Sequence, residues 1–150
     1  MGSQPWMYAV PYEADLQSAL DGLKQREFQA GRYYPAIEDI TTSYIHPENM
    51  HGPGAQHASI EEALEASGES GTQSVLDMVS IGSATGPQTV VPLDDPTLLS
   101  LFGTTHPTRA MVDRIYRWLN DVQRGAGIAV LLYGEDGTPL QVLFAGYSFD

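Results

Sequence analysis

Few side chains in this sequence could do chemistry, and they are scattered. His46, Glu48, His51 and His57 offer the nitrogen and oxygen ligands that zinc and similar divalent ions take. Their spacing matches no helical pair of histidines four residues apart, and Pro47, Gly52 and Pro53 lie among them. Solvated loop histidines are therefore expected, and no metal centre. Asp77 is the other singular group, because Val75, Leu76, Met78 and Val79 surround it with apolar side chains. A carboxylate so placed faces water or bonds neighbouring backbone, the reading favoured here. Otherwise it is buried with a raised pKa and can act as an acid or base. That second reading needs a cation such as Arg32 or Arg109. With His46 and His51 these residues make the candidate pocket of a small enzyme or ligand-binding domain.

Frames for nucleophilic attack or phosphate binding are missing. No Gly-x-Ser-x-Gly surrounds Ser70, Ser74 or Ser80, and Gly68-x-x-Gly71-Thr72 lacks the Lys of a phosphate loop. The chain has no Cys, which excludes disulfides and thiolate metal sites. No cofactor is expected.

Charge is more telling. The net charge is −12, and residues 33–108 hold ten acids without one Lys or Arg, so this stretch carries −10 of it. Such a field repels phosphate backbones and anionic membranes and attracts cationic partners. Solubility is the simpler explanation of acidity, but solubility is served equally by scattered acids. The same stretch holds Tyr33, Tyr34 and Tyr44, residues suited to anchoring an interface. It also holds Glu61, Glu62 and Glu65, which helical spacing places side by side, so that their mutual repulsion would be relieved by a basic partner.

The elements that would position these groups can be read along the chain. Trp6–Val10 is an apolar strand closed by Pro11; Tyr12–Asp15 opens a helix with Leu16, Ala19, Leu20 and Leu23 on one face and Gly31 as its C-cap. Residues 33–58 read as a long loop with at most a short strand near Ile40–Ile45. Ser59-Ile-Glu-Glu62 is a capping box starting a short helix that ends at Gly68. Gln73–Ile81 alternates as a long internal strand, and Gly82–Val91 reads as a loop. Asp94-Asp95-Pro96 starts a helix ended by Gly103; the longest helix carries Met111, Val112, Ile115, Tyr116, Leu119 and Val122 on its apolar face. Last come two strands, Gly127–Tyr133 and Leu140–Tyr147, joined through Asp136-Gly137 as a central hairpin. The whole is expected to be one α+β domain with a mostly antiparallel sheet of about four strands and helices packed on it.

The stretches Phe28-x-x-Gly31-x-Tyr33-Tyr34, Ser59-Ile-Glu-Glu-Ala, Gly71-Thr-x-Ser-x-Leu-Asp-Met78 and Phe102-Gly-Thr-x-x-Pro-Thr-Arg109 resemble those of small uncharacterised bacterial proteins, a resemblance that implies no activity and no functional residue. No stretch nears the ~20 apolar residues of a membrane helix, and the first residues lack the basic and apolar regions of a secretory signal, so a cytoplasmic protein is expected. The function expected is an acidic protein-binding module that docks on a basic protein or peptide without catalysis, as immunity proteins, antitoxins and nucleic-acid mimics do.

Overall fold

The structure is a computed structural model that describes residues 5–38, 52–115 and 122–149. Its centre is a five-stranded mixed sheet. The strands are β1 (Pro5–Pro11), β2 (Ser80–Ile81), β3 (Thr89–Pro92), β4 (Gly127–Tyr133) and β5 (Pro139–Tyr147), and they lie in the order β1-β5-β4-β3-β2. β5 pairs antiparallel with both β1 and β4, whereas β2, β3 and β4 run parallel. Three α-helices are described: α1 (Leu16–Ala30), α2 (Ile60–Ser67) and α3 (Asp95–Phe102). The α+β class holds, but the sheet is mixed and has one strand more than expected.

The hairpin explains the centre. β4 carries no charged side chain, so it needs cover on both faces, and period-two alternation supplies it from two layers. Ala129 and Leu131 of β4, Trp6, Tyr8 and Val10 of β1, and Val142 and Phe144 of β5 point to one face. There they meet Ala19, Leu20, Leu23 and Phe28 of α1, Ala63 of α2, and Val75, Leu76 and Met78. Ile128, Val130 and Leu132 point to the other face with Met7, Leu143 and Ala145, against Leu98 and Phe102 of α3 and against Val112 and Ile115. Between β4 and β5 the turn closes as the sequence suggests. Gly137 takes a φ of 81°, and Asp136 Oδ1 accepts from the Thr138 amide and hydroxyl.

Two segments depart from expectation. Gln73–Ile81 is not one strand: Val75–Asp77 form a 3₁₀ turn, and only Ser80–Ile81 pair. Gln73 sits at a φ of 55°, outside the extended region, and the Ser74 hydroxyl caps the turn by accepting from the Leu76 amide. The apolar alternation was real, but it marks a turn with one face in the core. Conversely Thr89–Pro92, most of it inside the expected loop Gly82–Val91, is strand β3, paired with both β2 and β4. The far edge of the sheet is sealed by a helix side chain. Gln17 of α1 accepts from the Ile81 amide at 2.9 Å and donates to the Val79 carbonyl at 3.2 Å, taking the place of a further strand.

The helix ends follow the residues that cap them. Asp15 is the N-cap of α1 itself rather than part of its first turn, accepting from the Gln17 and Ser18 amides, and Gly31 closes it at a φ of 76°. Ser59 caps α2 and Asp94 caps α3, each accepting from the amide three residues on. Glu62 reaches back to the Ala58 amide rather than to Ser59's own. In place of the start of a long helix, Arg109–Arg114 form a 3₁₀ helix, and residues 116–121 lie outside the described residues.

This packing sets an expected contrast in stability. Leu132 is buried at the centre of the sheet, whereas Leu140 is 58% exposed near the start of β5. Leu132→Ala should cost about 2–5 kcal/mol, and Leu140→Ala should stay within about 0.5 kcal/mol. Urea unfolding of the two variants checks this, and equal losses would contradict the assignment of the two faces.

Candidate functional site

Buried polar groups gather where α1 ends and along the segment 71–77. α1 continues its apolar stripe from Leu16 through Leu20 and Leu23 to position 27, and there the residue is Glu. Glu27 is fully buried and is held by Arg32, whose Nε donates to Oε1 and whose Nη2 donates to Oε2, both at 2.7 Å. Arg26 adds a contact at 3.2 Å. This bidentate pair fixes the chain as it leaves the helix. Beyond Arg32, Tyr33 turns inward: its ring stacks on Phe28 and its hydroxyl lies 2.7 Å from His57 Nδ1 and accepts from the Gln56 amide. The Gly54 and Ala55 amides donate to the carbonyls of Ala30 and Gln29. The end of the expected 33–58 loop is thus docked on α1 by its own backbone.

Asp77 is the second centre. It is fully buried, and its Oδ1 accepts from the Thr72 amide and the Thr72 hydroxyl, both at 2.7 Å. The Thr72 hydroxyl also meets the Ser74 hydroxyl at 2.8 Å. Oδ2 has no hydrogen-bond partner among the described residues, and Gly71 lies against it so closely that an added Cβ would come within 2.8 Å of Oδ2 and 2.9 Å of the Phe149 ring. Burial pushes the Asp77 carboxyl up to about 6, against the opposing pull of the Thr72 hydrogen bonds and, more weakly, of the Gln73 backbone and of Lys24. Lys24 is half-buried and shifted the other way: burial lowers it, while Asp21, Glu61 and Asp77 hold it up. It lines an open cleft of about 490 Å³ between α1 and the start of α2, with Asp21, Gln25 and Glu61 on the rim.

The residues singled out in the sequence are thereby sorted. Asp77 is buried and bonds neighbouring backbone, so it does not face water. Arg32 is committed to Glu27, and Arg109 is exposed on a segment that covers the opposite face of the sheet. The structure therefore pairs neither arginine with Asp77; the cation whose charge acts on it is Lys24. Tyr33 is core and Tyr34 is half-buried, its amide donating to the Thr72 carbonyl at 2.8 Å. Glu61, Glu62 and Glu65 are all exposed on α2. Tyr44, His46, Glu48 and His51 lie outside the described residues. Among the described residues no three His, Asp or Glu stand together as metal ligands, and no helix is long and apolar enough to cross a membrane. Glu27 was missed, although a carboxylate on the apolar stripe of a helix is a readable signal. Thr72 was missed because nothing in its neighbourhood marks it.

Comparison of the chain with protein-family models, with curated proteins and with solved structures gives no match.

Two outcomes follow from these buried charges. Well below pH 3.8 the Asp77 carboxyl is protonated in both the folded and the unfolded chain. As pH rises, the unfolded chain loses this proton near 3.8, while the fold keeps it until about 6. Stability should therefore fall through that window and level above it, by on the order of 3 kcal/mol. Asp77→Asn keeps an acceptor for Thr72 and should lack this slope; denaturant titrations of both proteins from pH 4 to 7 give the measurement, and parallel curves would count against it. Arg32→Ala should cost about 3–5 kcal/mol, because it leaves the Glu27 carboxylate buried without its main partner. Thermal unfolding reads that loss.

Proposed function

We propose that this protein is an acidic binding module that docks on a basic protein or peptide and carries no catalysis. The observation that carries the reading is the exposed glutamate row of α2, Glu61, Glu62 and Glu65, within a stretch of −10 that has no Lys or Arg. Helical spacing sets Glu65 beside both Glu61 and Glu62, where like charges repel. Lys24 faces Glu61 across the cleft but does not reach it as an ion pair, so the row keeps its charge for a partner. Exposed carboxylates of this kind act chiefly on encounter, raising the association rate and discriminating against acidic competitors.

With Tyr33 in the core, hydrophobic anchoring falls, among the described tyrosines of that group, to half-buried Tyr34. The alternative of an enzyme built on Asp77, the loop histidines and an arginine has less support, since neither Arg32 nor Arg109 stands beside Asp77.

Changing Glu61, Glu62 and Glu65 together to Gln should leave the fold intact or slightly more stable. It should slow association with a Lys- and Arg-rich partner severalfold, and it should flatten the decline of the on-rate between low and physiological salt. Stopped-flow association with a partner cross-linked from the cells that make the protein checks this. An on-rate and a salt dependence untouched by the triple change would leave the acids as a solvated surface.

A further inference from the structure

β4 is longer than the neighbour it pairs with. β3 covers only Gly127–Ala129, through Val90–Pro92. The chain then leaves the sheet: the Leu93 amide still donates to the Ala129 carbonyl at 3.0 Å, Asp94 caps α3, and Pro96 follows with no amide hydrogen to offer. Among the described residues the edge of β4 is met again at Tyr133, whose amide donates to the Pro107 carbonyl at 2.8 Å. The Tyr147 amide bonds the Ala126 carbonyl, which sets the phase of the β4–β5 ladder; even-numbered residues of β4 bond to β5 and odd-numbered ones face the β3 edge. Leu131 is the odd position between the two contacts. Its amide and carbonyl point into the gap, and neither bonds a described residue.

The gap is a cavity of about 180 Å³. Its walls include Leu16, Leu93, Leu98 and Tyr133, with Thr105 and Asp95 as the polar groups. It lies past the carboxyl end of β3 in the parallel part of the sheet, where sheets with helical crossovers receive their ligands. A donor and an acceptor on one residue, side by side between apolar walls, fit a planar ring that carries an acceptor next to a donor. The ring carbonyl would accept from the Leu131 amide, and the ring N–H would donate to the Leu131 carbonyl. Cavities of about 150 Å³ admit a benzene ring, so the volume suits one six-membered ring. Asp95 is the only ionisable side chain among these residues apart from the Tyr133 phenol, and it disfavours an anion.

We propose that the gap beside Leu131 is a binding site for a neutral, planar six-membered cyclic amide, read by the Leu131 backbone as an absent strand would be. The site is independent of the glutamates of α2.

Two measurements on the full chain test it. Hydrogen exchange of the free protein should replace the Leu131 amide at least a hundredfold faster than those of Val130 and Leu132, which bond to β5; slow exchange at Leu131 would mean that its amide already has a partner, and would overturn the proposal. Titration with 2-pyridone, followed by amide and methyl chemical shifts, should then move Leu131, Leu98 and Thr105 saturably. N-methyl-2-pyridone, which lacks the donor, should bind at least tenfold more weakly. Leu16→Trp, which fills the cavity from a half-buried position on α1, should abolish the response. Equal binding of the two probes, shifts centred elsewhere, or no saturable shift in the wild-type protein would each overturn it.

Discussion

The constraint on which the rest of this structure depends is that β4 has nowhere polar to face. From Gly127 to Tyr133 it is an uncharged, mostly aliphatic strand, and leaving it in water would forgo its share of the hydrophobic free energy. It therefore needs helices on both faces and strands on both edges. α1 with the turn Val75–Asp77 meets the first face, and α3 with Val112 and Ile115 meets the second. β5 covers one edge along its whole length, and β3 covers the other only to Ala129. The cavity beside Leu131 is what remains where that cover is incomplete. A structural requirement and a candidate binding site thus come from the same strand.

The buried charges belong to the same problem of closing layers with irregular chain. Helices and strands satisfy their own backbone, but the segments 31–38 and 71–77 lie under the first face without that help. Glu27 with Arg32 holds the first segment, and Asp77 with Thr72 holds the second. They do so unequally. Glu27 has a bidentate guanidinium, whereas Asp77 has no facing cation of that kind and draws only on Thr72 and the Gln73 backbone, so burial outweighs them and disfavours its charged form. Asp77 is therefore better understood as a clasp tolerated for the turn it fixes than as a poised acid, since it is fully buried and Gly71 lies so close to its second oxygen that not even a Cβ would fit between them.

What the sequence made legible is what local chemistry decides. The hairpin turn, the caps at Ser59, Asp94, Gly31 and Gly103, and the apolar face of α1 each follow from residues within one or two turns of one another. The short extent of β2 and the existence of β3 were illegible for the opposite reason. Two and four residues long, they hold little propensity of their own, and β3 exists because β4, more than thirty residues later, offers it a parallel edge. The polarity of Asp77's neighbourhood was readable from its apolar flanks, but its partners were not. Spacing could not say that Arg109 falls on the far side of the sheet, nor that Tyr33, one residue past a salt-bridged arginine, turns into the core to meet His57.

That asymmetry bears on where function can sit. The two tightest polar clusters are buried and occupied, one by an ion pair and the other by a threonine, so neither has a face to offer a partner. What is left accessible differs in kind: an exposed glutamate row that forms no ion pair among the described residues, and an apolar gap where the Leu131 amide and carbonyl bond no described residue. Charge at a surface acts over a Debye length of about 8–10 Å and selects partners by sign and rate, whereas a backbone pair in a small cavity acts only on contact and selects by shape. The two surfaces therefore cannot substitute for one another. On the two proposals made above, a partner drawn by the glutamates would gain nothing from the gap unless it also presented a planar amide to Leu131, and a small neutral ring would reach Leu131 without the glutamates.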